Sequence, residues 1–144
     1  MIFDYNNMET TVIPNFKGGE KEISAQMFLD DNGRIMKAVL KPGASIGYHK
    51  HEGNGEIVYA ISGNAKVLYN DGEETISAGQ CHYCPNGNAH SIINNSDEDF
   101  VMFCVVPNQK WFYNLKPNSV TKDSLCWKQT VFYCEELCNM LLYY

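Results

Sequence analysis

Two histidines two residues apart, His49 and His51, are followed five residues later by Glu56, and a third histidine, His90, lies further along the chain. On a β-strand, residues i and i+2 face the same side, so His49 and His51 would present their imidazoles together. Gly53 and Gly55 permit the sharp reversal that would bring Glu56 beside them. Pro85-Asn86-Gly87 has the composition of a turn, after which His90 opens a new strand and supplies a fourth donor. Three imidazoles and one carboxylate make an N/O set suited to one divalent transition metal (Fe, Mn, Ni, Cu or Zn), with Mg and Ca disfavoured. On an octahedral ion, four protein ligands leave two positions open for ligand oxygens or dioxygen. Singly, any of these histidines could be a surface or hydrogen-bonded core residue. Three of the chain's 4 histidines agreeing in strand parity and turn placement favour the metal centre.

The elements needed to position them are strands. From Glu22 to Val106, short apolar-polar runs are separated by Gly, Pro, Asn and Asp, the pattern of an all-β barrel or jelly roll. EISAQMF and RIMKAVLK flank DDNG, where Asn32-Gly33 reads as a hairpin turn; NAKVLYN and EETISA flank Asp71-Gly72 in the same way. In RIMKAVLK, alternation places Met36, Ala38 and Leu40 on one face, expected to look inward. FVMFCVV is apolar on both faces. Something must therefore cover its outer side, either a second subunit or the C-terminal segment, and a homodimer is expected. From about Thr130, Val131, Cys134, Cys138 and Leu141 follow a helical spacing.

These residues carry a resemblance to the cupin superfamily. Its first motif is matched by Gly43, His49, His51, Glu56 and Gly63, and its second by Gly79, Pro85, Gly87, His90 and Asn94. The resemblance covers roughly residues 22 to 106 and resembles compact microbial single-domain members. It implies a double-stranded β-helix with a metal on the same four residues. Residues 1–109 would form the cupin domain with an N-terminal strand segment, and 110–144 a C-terminal extension packed on the barrel or a partner. The family hosts many reactions, so the resemblance bears weakly on chemistry.

At 144 residues, with 44% hydrophobic and 19% charged residues, the chain fits one soluble globular domain. A net charge of -6 without a basic run argues against nucleic-acid binding. MIFDYNNMET lacks the pattern of a secretory signal, so a cytoplasmic location is expected, with the six cysteines as free thiols. VFYCEELCNMLLYY is too short and too acidic to span a membrane. Cys81 and Cys84 would point to opposite faces of a strand, which weakens a redox reading. His82 reads as a hydrogen-bonded histidine of unknown facing, and Tyr48, Tyr59 and Tyr83 read as packing residues.

By parity, Met36, Ala38, Leu40, Val58, Ala60 and Ile92 would form an apolar cavity wall. Lys37, Lys41 and Lys50 would face away, leaving no interior cation besides the metal. That lowers a phosphosugar isomerase or oxalate decarboxylase relative to chemistry on a small neutral or singly charged ligand. The expected function is a metal-binding cupin holding a small organic ligand, acting as an oxygenase or lyase. A non-catalytic binding or sensor module is the alternative, and a sugar-phosphate isomerase-like cupin is a further one.

Overall fold

A computed structural model describes residues 1–108 of the chain; the expectations for 110–144, including the helical spacing from Thr130, lie outside the described residues. Ten strands run in chain order: β1 (Thr11–Pro14), β2 (Glu22–Asp30), β3 (Gly33–Leu40), β4 (Ser45–Lys50), β5 (Glu56–Ser62), β6 (Asn64–Tyr69), β7 (Gly72–Ser77), β8 (Cys81–Cys84), β9 (Ala89–Ile93) and β10 (Phe100–Pro107). They form a six-stranded sheet ordered β1-β2-β3-β10-β5-β8 and a four-stranded sheet ordered β4-β9-β6-β7. Every pairing is antiparallel. The jelly-roll expectation is met.

The two inner faces bury Leu40, Ile46, Val58, Ile92, Phe100 and Met102 against one another. β3 alternates as its sequence implies, with Met36, Ala38 and Leu40 buried and the residues between them half-exposed. Alternation of this kind pins the register, because a one-residue slip would turn the whole buried set to solvent.

Both hairpin turns sit one residue earlier than the sequence suggested. Asp30 pairs with Gly33, so Asp31 and Asn32 make the first turn, and the Asp30 carboxylate accepts from the amides of Asn32 and Gly33. Gly33 instead begins β3 at φ 146, packed so close to β10 that a Cβ would lie 2.2 Å from the Val106 carbonyl. Tyr69 pairs with Gly72, and Asn70 takes the left-handed conformation at φ 49, which Asn tolerates better than most residues.

The outer face of β10 is covered in part by a segment the sequence did not single out. Gln26 Nε2 donates to the carbonyls of Tyr5 and Met8, and Tyr5 meets Phe103 edge-on at 6.0 Å. The N-terminal segment thus supplies cover that the sequence reading sought in a second subunit or the tail. No helix among the described residues is long and apolar enough to cross a membrane.

A short 3-10 turn, Phe16–Gly18, lies against β4, the strand that carries His49. The contact requires two glycines: a Cβ on Gly47 would sit 2.2 Å from the Lys17 carbonyl, and one on Gly19 would sit 2.1 Å from the Ser45 carbonyl. Gly47→Ala should push the turn off the strand and destabilise the fold by about 1–3 kcal/mol, the usual cost of overpacking. Denaturant unfolding would measure it, and unchanged stability would show that the turn can shift freely.

Candidate metal centre

β4 and β9 place His49 directly opposite His90 in the four-stranded sheet. His51 follows just beyond β4, and Glu56 opens β5 in the six-stranded sheet, so the cluster bridges the two sheets. The turn regions of both histidine segments are bonded to each other: His51 N donates to the Asn88 carbonyl, and Gly87 N donates to the His51 carbonyl. Gly53, at φ 79, makes the reversal before Glu56, and its amide donates to the Asn86 side chain.

One donor atom from each of His49, His51, Glu56 and His90 lies within 4.8 Å of all the others. Glu56 Oε2 is 3.0 Å from His90 Nε2, 3.3 Å from His51 Nε2 and 4.0 Å from His49 Nε2. The outer nitrogens are engaged elsewhere. His49 Nδ1 is 2.9 Å from the Gly47 carbonyl, His51 Nδ1 is 2.7 Å from Asn54 Oδ1, and His90 Nδ1 is 3.1 Å from His82 Nε2. Where Nδ1 donates to an oxygen, a neutral imidazole keeps its lone pair on Nε2. The Nε2 atoms of His51 and His90 are only 3.0 Å apart. Two lone pairs and a buried carboxylate at such distances repel unless a proton or cation lies among them, so the donor set fits a divalent transition ion.

The electrostatics agree. Burial raises the pKa of Glu56, but hydrogen bonds from His51 and His90 outweigh it and hold the carboxyl at about 2. His51 is pushed up, chiefly by its bond to Glu56, whereas burial pushes His49 down. Burial also raises Cys84 to about 11 and Cys104 well above the usual thiol range, so neither is an activated thiolate. Cys81 is exposed and Cys84 buried, as strand parity requires. Tyr48, Tyr59 and Tyr83 point out to solvent. His82 faces inward and is buried, its β8 position set opposite Val58.

A pocket of about 270 Å³ opens onto His49, His51 and Glu56. Two sequence expectations fail here. Of the supposed apolar wall only Met36 lines this pocket; Ala38, Leu40, Val58, Ala60 and Ile92 are closed off in the core, because facing strands fill the space beneath the cluster. The pocket is also not devoid of cations, since Arg34, Lys17 and Lys50 line it. Arg34 stands two residues before Met36 on β3, so the same parity that turned Met36 inward could have found it. Its Nε is buried without a hydrogen-bond partner among the described residues. Lys17 arrives on the 3-10 turn, and nothing in local sequence signalled it.

The fold and cluster define a class of protein, and comparison with known families agrees: a cupin-domain family model matches residues 36–106. The chain belongs to the cupin family. It is 34% identical over 101 residues to a Thermotoga maritima protein named oxalate-binding protein, covering 65% of this chain and 83% of that one. Among solved structures, a predicted oxalate decarboxylase from Thermotoga maritima is similar at a TM-score of 0.71 and 29% identity, over 75% of this chain and 99% of the other. A cupin 2 conserved barrel domain protein from Salinispora arenicola is similar at 0.60 and 25%, over 75% and 88%.

The Glu56–His51 bond can be tested in metal-free protein. A carboxylate partner favours the charged imidazolium, so Glu56→Gln should lower the pKa of His51. Titration of the His51 ring protons by NMR would read the shift, and an unchanged midpoint would show that Glu56 does not control that ring.

Proposed function

We propose that His49, His51, Glu56 and His90 hold one divalent transition metal, and that the protein uses it to capture a small carboxylate of the oxalate class. The observation that carries this reading is the convergence of three imidazoles and a carboxylate within 4.8 Å. When bound, such an ion supplies Lewis-acid polarisation to a chelating ligand at its open positions. The chain supplies the rest. Arg34 and Lys17 line the same pocket and offer charge to the ligand's anionic oxygens, and Arg34 Nε is a donor without an acceptor among the described residues. The similarity to a protein named for oxalate binding supports the ligand class.

If the captured acid is transformed, the reaction is of the lyase or oxygenase type. A second reading, a binding or sensor module, draws on one observation. Among the described residues, the only carboxyl besides Glu56 that lines the pocket is Glu52, which is exposed and paired with Lys50 at 3.1 Å. Among the described residues, no buried carboxyl besides Glu56 lines that pocket. The pocket cations also reopen a phosphosugar ligand, but the oxalate-binding relative favours the carboxylate. We carry forward the homodimer as the assembly, on the exposed apolar run of Ile57, Tyr59, Ile61 and Tyr83 along β5 and β8. Light scattering should give a particle of two chains, and a single-chain mass at micromolar concentration would remove that assembly.

Protein purified without chelators should carry about one transition metal per chain by elemental analysis, and His49→Ala/His51→Ala should carry almost none. Equal, negligible metal in both would end the reading. In metal-loaded protein, oxalate should bind by calorimetry, and Arg34→Ala should weaken it about 10- to 100-fold, the worth of a charge-assisted hydrogen bond. Oxalate turnover assayed alongside separates the enzyme from the binding module.

A further inference from the structure

We propose that His82 and Glu74 form an outer support that orients His90 as an Nε2 metal ligand and strengthens the hold on the ion; this rests on the metal reading above. His90 differs from the other two histidines in its backing. His49 leans on a backbone carbonyl and His51 on the Asn54 amide oxygen, both of which can only accept a hydrogen bond. His90 leans on another imidazole, through His82 Nε2 at 3.1 Å. An imidazole nitrogen either donates or accepts, so this contact alone would not say which nitrogen of His90 carries the hydrogen.

Glu74 resolves the ambiguity. Its Oε2 lies 3.3 Å from His82 Nδ1, and a carboxylate only accepts. His82 therefore carries its hydrogen on Nδ1 and keeps a lone pair on Nε2. That lone pair accepts from His90 Nδ1–H, so that once an ion replaces the proton His90 Nε2 shares with Glu56 in the metal-free protein, the Nε2 lone pair, 3.0 Å from Glu56 Oε2 and from His51 Nε2, faces that ion. One carboxylate on β7 thus sets the direction of two bonds in series, ending at the centre of the cluster. Histidine ligands backed in this way are held in one ring orientation and are better donors.

The support is built rather than incidental. His82 is only 6% exposed, lies nearly parallel to the His90 ring with centroids 5.2 Å apart and 24° between planes, and meets Tyr69 in a T-shaped contact at 5.4 Å. Its strand belongs to one sheet, while Glu74 and His90 belong to the other. The outer end reaches a surface recess lined by Glu74, Gln80, Cys81 and His82, a different opening from the pocket over His49 and His51. Residues that never touch the ligand would therefore set how tightly the ion is held.

The test is Co²⁺ titration of the full chain, followed by visible absorption, for the wild type, His82→Leu, His82→Gln and Glu74→Ala, with thermal melts of each metal-free protein. His82→Leu keeps the packing and removes the bonds, and should weaken Co²⁺ binding about 10- to 100-fold with a changed ligand-field spectrum. His82→Gln should recover much of the loss, since its amide can accept from His90 and donate to Glu74. Glu74→Ala, at an exposed position, should leave the melt unchanged yet weaken binding several-fold, which keeps the test valid should His82→Leu fail to fold. Variants that match the wild type in affinity and spectrum would overturn the support, as would a Gln variant no better than Leu. A wild type that binds no Co²⁺ would instead overturn the metal reading itself.

Discussion

Electron-rich atoms crowd together at the junction of the two sheets, and most of the structure around them follows from keeping them there. Glu56 is almost wholly buried and His90 entirely so. Taking a carboxylate out of water costs several kcal/mol unless opposite charge or hydrogen-bond donors compensate. Without a cation, part of that compensation falls to His51, whose raised pKa is the counterpart of the lowered pKa of Glu56. A divalent ion would satisfy all four groups at once. The empty cluster thus relies on protons shared with its histidines, and a bound divalent ion would take over that role.

Holding such atoms at close range demands a rigid frame, and the glycines and asparagines around the site supply it. Gly43 N donates to the Asn94 carbonyl and Asn94 N donates to the Ala44 carbonyl, joining the start of the first motif to the end of the second. The Asn94 side chain, fully buried, donates to the carbonyls of Leu40 and Glu98 and accepts from Ser96, so a buried polar group is also a satisfied one. Gly63, at φ 76, sits where a Cβ would come within 2.5 Å of the Asp99 carbonyl. Motif positions that look like spacing marks in the chain are joints that fix where the histidines stand.

The pocket brings cationic side chains together from parts with no local relation. Arg34 comes from β3, Lys17 from the 3-10 turn, His49 from β4 and His51 from just beyond it, and Glu56 from β5. With the proposed ion bound, a guanidinium beside it would suit a ligand with two anionic ends, one chelated and one gripped. The sequence reading had favoured a small neutral or singly anionic ligand; the pocket cations are what support the proposed dicarboxylate. The correction traces to a single residue: Arg34 shares its strand face with Met36, and assigning that face as purely apolar left it out.

What the linear chain determined by itself was whatever depends on short-range period and turn chemistry. Alternation in β3 placed its core residues, whereas β10, apolar on both faces, left its inner face open. The His-x-His spacing put two imidazoles on one side, and the glycine and proline turns brought Glu56 and His90 within reach. Even the turns slipped by one residue, because Asp30 and the close approach of Gly33 to β10 decided the first hairpin. Tertiary structure alone decided the rest. Which strands pair set His82 opposite Val58 and directed it at His90, and the sheet-to-sheet packing brought Glu74 to it. The N-terminal segment reached β10 through Gln26 and Tyr5, a contact no local pattern encodes. Periodicity says which side of its own strand a residue faces; only the packing of distant strands says what waits on that side.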